Sequence, residues 1–147
     1  MTEVAFHFNV PDRLAYACRF TRKAVQRDAR LVMSAPQAVL QRIDRMLWAT
    51  KPTDFVAHCT HDAPQAMQNA SPVLLVPEGH DVPQWRKHSD MLLHLGDAVP
   101  EGYATYAKVI EIVSHDDASE RQHARARWRH YVAHGDNIVR HDFVHKG

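Results

Sequence analysis

Short apolar runs alternate with longer amphipathic stretches along the chain, and that rhythm predicts an α/β fold. The run Val4 to Val10 reads as a strand. Pro11-Asp12 then opens a helix, with Asp12 near the positive end of its dipole. Beyond it, Leu14, Ala17, Cys18, Thr21 and Val25 fall on one side at the 3.6-residue period, and Arg19, Arg22, Lys23 and Arg27 fall elsewhere. Leu31-Val32-Met33 is a short buried strand. Pro36 starts a second helix, whose apolar stripe is Val39, Leu40, Ile43 and Leu47 and which ends near Trp48, ahead of Lys51-Pro52. Phe55-Val56-Ala57 predicts a third strand, the polar stretch His58 to Ser71 with Pro64 a loop, and Val73 to Val76 a fourth strand. After a loop over Glu78 to Arg86, the runs Met91 to Leu95 and Tyr106 to Val113 add two strands on either side of a turn region, Gly96 to Gly102. Asp116 to His134 is a long helix stopped by Gly135 at its C′ position, and Ile138 to Val144 adds a last strand. Strands alternating with helices imply crossover connections. The expected architecture is therefore a largely parallel twisted sheet with helices on both faces, Rossmann-like in topology, in a single domain over residues 1–147.

Such sheets usually hold phosphate where a strand turns into a helix through a Gly-rich loop. Here no glycine precedes Gly79, and neither G-x-G-x-x-G nor G-x-x-x-x-G-K-[ST] occurs. A G-x-S-x-G elbow and an H-E-x-x-H helix are also missing. An enzyme or nucleotide-binding domain is thus the alternative reading; the preferred one has no catalytic residues, no cofactor and no metal. His58-Cys59-x-His61 and the pair His130/His134, one helical turn apart, carry metal-ligating atoms. Neither set has a matching partner in the sequence, and both read as loop or surface histidines. Asp116-Asp117 reads as a helix cap, and Cys18 as a packing residue. Two cysteines build no disulfide framework and fit a reducing cytosol. No apolar run approaches the roughly 20 residues of a membrane helix, and the N-terminus lacks a secretory pattern. A cytoplasmic protein is expected.

Charge sharpens the picture locally. The chain is near neutral at +1, but Glu78 to Glu120 holds nine acids against three bases. Arg121 to the end holds six bases against two acids, a net +4 that suggests an acidic partner for one face. At 100° per residue, Arg121, Arg125 and Trp128 lie within about 60° of one another on the last helix, with Arg129 at the edge of the stripe. Ala124 and Tyr131 form the neighbouring apolar side, which should face the sheet. Trp128 then stands between core and basic stripe. Three readings stay open. The stripe is a solvated helix face with Asp117 pairing Arg121 at i,i+4, or a pocket for a peptide that ends in an aromatic residue and a carboxylate, or a surface that binds single-stranded DNA directly.

Several segments, in order and spacing, resemble the chi subunit family of bacterial DNA polymerase III. They are His7-Phe8-Asn9-Val10-Pro11-Asp12-Arg13-Leu14, Tyr16-Ala17-Cys18-Arg19, Leu47-Trp48-Ala49, Pro52, Phe55-Val56, His58, Asp116-Asp117, Ala124-Arg125-Ala126-Arg127-Trp128, Tyr131 and Gly135. The resemblance implies a non-catalytic adaptor of the clamp-loader assembly with two binding surfaces. One takes the acidic C-terminal tail of single-stranded DNA-binding protein, ending in Pro-Phe, and its positions fall on Arg121, Arg125, Trp128 and Arg129. The other takes the psi subunit, or in some members an XPD-like helicase, and falls on Trp48 and Phe55. In this reading the chain meets DNA only indirectly.

Overall fold

The computed structural model describes residues 2–49, 56–79, 88 and 90–143. Strand β1 (Glu3–Val10) leads into α1 (Arg13–Gln26), β2 (Leu31–Ala35) and α2 (Gln37–Trp48). Then come β3 (His58–Thr60), α3 (Gln65–Ala70), β4 (Val73–Pro77), β5 (Met91–His94), a 3-10 turn over Tyr103–Thr105, β6 (Lys108–Ser114), α4 (Ala118–His134) and β7 (Asn137–Asp142). Among the described residues the strands form one seven-stranded sheet in the order β3-β4-β2-β5-β6-β1-β7, with every recorded pairing parallel. The expected α/β class holds, and the sheet is wholly rather than largely parallel.

Side-chain alternation divides the core in two. Ala5, Met33, Leu75, Leu93 and Ile110 point to the side covered by α1 and α2, where Leu14, Ala17, Cys18, Leu40, Ile43 and Leu47 meet them. Val4, Phe6, Val32, Leu74, Leu92 and Val109 point to the opposite side, against Ala124 and Tyr131 of α4 and the buried Tyr103 and Tyr106. Central strands buried on both faces explain why they read as continuous apolar runs. Cys18 is buried among these residues, and burial pushes its thiol pKa up, as a packing role requires.

The helix caps follow the sequence. Asp12 is the N-cap of α1 and accepts from the Ala15 amide; Asp117 does the same for α4 through the Glu120 amide. Gly135 ends α4 in the left-handed region at φ 85°, as expected of a C′ glycine.

Three expectations need correction. The third strand is His58–Thr60 rather than a segment centred on Val56; Phe55 lies outside the described residues. The stretch read as loop holds that strand and α3, which Pro64 opens as a pre-organised N-cap. Its polar composition hid both, because β3 is a three-residue edge strand with one buried side chain, Cys59. The sixth strand starts at Lys108, and Tyr106 belongs to the preceding turn, where its ring packs into the core.

A candidate peptide-docking pocket beside Trp128

A cavity of about 520 Å³ opens between α4 and the β1–β7 edge of the sheet. Its lining includes all four residues singled out on the last helix: Arg121, Arg125, Trp128 and Arg129. Three helical turns with a short Ala124 inside leave room below the arginines, and the strands supply the floor. Phe6 and Phe8 share one face of β1 because strand side chains alternate with period two, and Val113 joins them from β6. Trp128 is half-buried, with its ring 5.2 Å from that of Phe6. It therefore stands at the border between core and solvent, as the helical wheel predicts.

Arg140 completes the rim from β7. Register pairs it with Phe6, so it faces the same side, and its guanidinium carbon lies 5.9 Å from the Trp128 ring centre, a cation–π distance. The sequence reading did not pick out Arg140, Phe6, Phe8, Asn9 or Val113. Alternation places Phe6 and Phe8 together, but the β1–β7 register that brings Arg140 across was not readable from the sequence.

The rim is strongly cationic. Arg121 donates to the His115 carbonyl at 3.1 Å instead of pairing with Asp117, whose carboxylate is engaged in capping. Arg125, Arg129 and Arg140 are exposed and make no ion pair among the described residues. Guanidinium groups around an aromatic floor offer charge-assisted donors beside an apolar recess.

One arginine counted in the C-terminal basic segment is not on this rim. Arg127 is only 3% exposed and turns into the sheet. Its Nε donates to Glu111 Oε2 at 3.0 Å and its Nη1 to the Asp97 carbonyl at 3.0 Å. The Tyr131 hydroxyl donates to the same carboxylate at 2.6 Å, and His94 Nδ1 lies 2.9 Å from its other oxygen. Burial alone would raise the Glu111 pKa, but His94, Arg127 and Tyr131 outweigh it and hold it below the ordinary value. Burial and the Glu111 charge push the Tyr131 phenol up, so it remains a donor. This network locks α4 onto β6 and so fixes the direction in which Arg125 and Trp128 project.

The crevice between the carboxyl ends of β1 and β6, where α1 leaves to one face and α4 to the other, is the usual ligand position in doubly wound sheets. Here carboxylates occupy it. Glu120 accepts from the Ser114 amide at 2.7 Å and pairs with Arg13 at 3.5 Å. Asp117 takes the Glu120 amide at 3.0 Å. Groups that meet phosphate in nucleotide-binding folds are engaged with acids of the chain itself.

Of the second predicted surface, Trp48 is described and is 63% exposed at the end of α2, with its ring 5.4 Å from that of His58; Phe55 lies outside the described residues. His58 itself is held by Asp44 at 2.8 Å and sits 2.8 Å from the Val56 carbonyl. His130 and His134 stack at 6.2 Å, with His134 on Asp136. Among the described residues no three His, Cys, Asp or Glu side chains converge as a metal site, and no helix is long and apolar enough to cross a membrane.

Comparison with known proteins gives two findings. Residues 1–138 match the family model of the DNA polymerase III chi subunit, HolC. Over 108 residues the chain is 29% identical to the DNA polymerase III subunit chi of Haemophilus influenzae (strain ATCC 51907 / DSM 11121 / KW20 / Rd), a match covering 74% of this chain and 71% of that one.

Proposed function

Because this chain belongs to the DNA polymerase III chi subunit family, we propose that it is a non-catalytic adaptor whose Trp128 pocket docks the acidic C-terminal tail of single-stranded DNA-binding protein. The pocket itself carries this reading: an aromatic-floored recess rimmed by Arg121, Arg125, Arg129 and Arg140. A terminal phenylalanine enters beside Trp128 and Phe6. Its carboxylate and the preceding acids meet the guanidinium groups. A second surface around Trp48, together with Phe55, takes the psi subunit of the clamp loader or an XPD-like helicase. The protein acts in the cytoplasm.

The energetics fit a weak, reversible contact. Burying one phenylalanine ring contributes roughly 1.5–3 kcal/mol, and a charge-assisted hydrogen bond to the carboxylate about the same. Ordering a flexible tail subtracts several kcal/mol. A short tail should reach micromolar affinity, about −8 kcal/mol, and a multi-tailed partner gains further by multivalency.

Calorimetry with an acidic peptide ending in Pro-Phe tests the pocket. Trp128→Ala and Arg125→Ala should each abolish measurable binding without unfolding the domain, and a C-terminally amidated peptide should bind at least tenfold more weakly. Unchanged affinity in both variants rejects the pocket. For the second surface, Trp48→Ala should lose co-purifying partners without losing tail-peptide binding.

A further inference from the structure

Charge in this protein is segregated far more than its net +1 implies. Residues 13–49 hold eight Lys and Arg against two Asp, a net +6, which leaves ten bases against fifteen acids elsewhere. The structure places six of these eight bases on one surface, while Arg13 pairs with Glu120 and Arg30 donates to the Asn69 and Ser71 carbonyls. Helices α1 and α2 pack side by side on the sheet face opposite α4. Their core residues turn inward, so Arg19, Lys23 and Arg27 form an exposed i, i+4, i+8 ridge on α1, with Arg22 half-buried at its flank. On α2, Arg42 and Arg45 are exposed beside it. The remaining exposed polar side chains on these helices are Gln26, Gln37 and Gln41, which also offer donors.

No ion pair among the described residues joins these cations to a carboxylate. Among the described residues the Lys and Arg ion pairs are Arg13–Glu120, Lys108–Glu3 and Arg127–Glu111, none of them on this surface. Asp44, the acid of α2, is paired with His58, and Asp28 lies past the end of α1. Like charges at i,i+4 destabilise a helix, so the ridge works against α1 in the isolated protein.

We infer that the α1–α2 surface is a contact site for the phosphate backbone of single-stranded DNA, separate from the Trp128 pocket and independent of it. Three features select this occupant. The ridge repeats a positive charge every turn over about 12 Å, which matches a regular polyanion. Along the ridge the exposed residues are cations and neutral donors, the set that binds phosphate and sugar oxygens, and the exposed Trp48 stands at the far end of α2. A single row of cations per helix tracks one backbone. Tail docking on the α4 face and strand contact on the α1–α2 face then engage two parts of one nucleoprotein filament from opposite sides of the sheet.

The test uses the full chain and a labelled 25-residue oligothymidylate, followed by fluorescence anisotropy from 20 to 300 mM NaCl. Wild type should bind with steep salt dependence. The triple variant Arg19→Gln/Lys23→Gln/Arg27→Gln should bind at least tenfold more weakly at low salt, and its log–log salt slope should fall by about 2, near 0.7 per cation removed. Arg42→Gln/Arg45→Gln should lose affinity in the same direction. Arg125→Gln/Arg129→Gln should keep oligonucleotide binding while losing the tail peptide, which separates failure of this inference from failure of the pocket reading. The inference is overturned if wild type shows no salt-dependent binding, if the ridge variants bind as wild type does, or if only the pocket variant loses the oligonucleotide. It is equally overturned if a duplex of the same length binds more tightly, or if polyglutamate displaces the strand at equal charge concentration. Circular dichroism melts of each variant establish that loss of binding is not loss of fold.

Discussion

At the scale of single residues, Glu111 is the most consequential side chain that never meets solvent. It sits on β6 at full burial, and its carboxylate carries three donors from β5 and α4. Removing one partner of a buried charge pair leaves the other uncompensated, which costs about 3–5 kcal/mol. Arg127→Leu should therefore destabilise the protein by about that amount in urea unfolding, while Arg125→Leu, one turn-face away and exposed, should change stability by less than about 0.5 kcal/mol. The same carboxylate sets an acid limit. Its folded pKa is depressed, so its stabilisation is complete above the ordinary carboxylate value of 4.5 and is lost as pH falls through the lower folded value. Melting temperature should drop on acidification below about pH 4.5, and Glu111→Gln, already less stable at neutral pH, should show a flatter acid limb. A parallel acid limb in that variant would mean that other carboxylates govern the transition.

At the scale of elements, α4 shows what the sequence makes legible and what it hides. Its ends are written locally, since Asp117 and Gly135 cap by their own backbone chemistry. So is the placing of Trp128 between core and solvent, which periodicity alone predicts. Arg127 misleads for a physical reason: a guanidinium on the inward face breaks the apolar stripe, and only the carboxylate of Glu111, sixteen residues earlier on a strand, makes its burial tolerable. The same limit hid Arg140, whose membership of the pocket depends on strand register. The short elements β3 and α3 were missed because marginal burial leaves little hydrophobic pattern to read. The cap gives an element-level prediction. Gly135 adopts φ 85° in open space, where a Cβ meets no neighbour but the backbone disfavours L residues. Gly135→Ala should cost about 1–2 kcal/mol in thermal or urea unfolding and leave tail-peptide affinity unchanged, because the pocket lies one to four turns back along the helix. A matching loss of affinity would show that the C-terminal end of α4 and the β7 wall move as one unit.

At the scale of the whole molecule, the parallel sheet acts as a partition. Every crossover through α1 and α2 stays on one face, and α4 stays on the other, so two surfaces of like charge are held apart by the thickness of the core. That arrangement carries a self-repulsion on the α1–α2 side that no ion pair among the described residues offsets, and it should register in stability. Each like-charge i,i+4 pair is unfavourable by about 0.2–0.5 kcal/mol at low salt, and screening over a Debye length of about 10 Å at 0.1 M removes most of it. The exposed pair Lys108–Glu3, which salt weakens in the opposite sense, contributes little. Raising NaCl from 10 to 300 mM should therefore raise the melting temperature by about 1–3 °C, using roughly 2–4 °C per kcal/mol for a chain of this size. In Arg19→Gln/Lys23→Gln/Arg27→Gln the low-salt melting temperature should already be higher and its salt dependence nearly flat, since the repelling row is gone. A variant that melts lower than wild type at low salt would show instead that these cations stabilise the fold, and the charge imbalance would then need no partner to explain it.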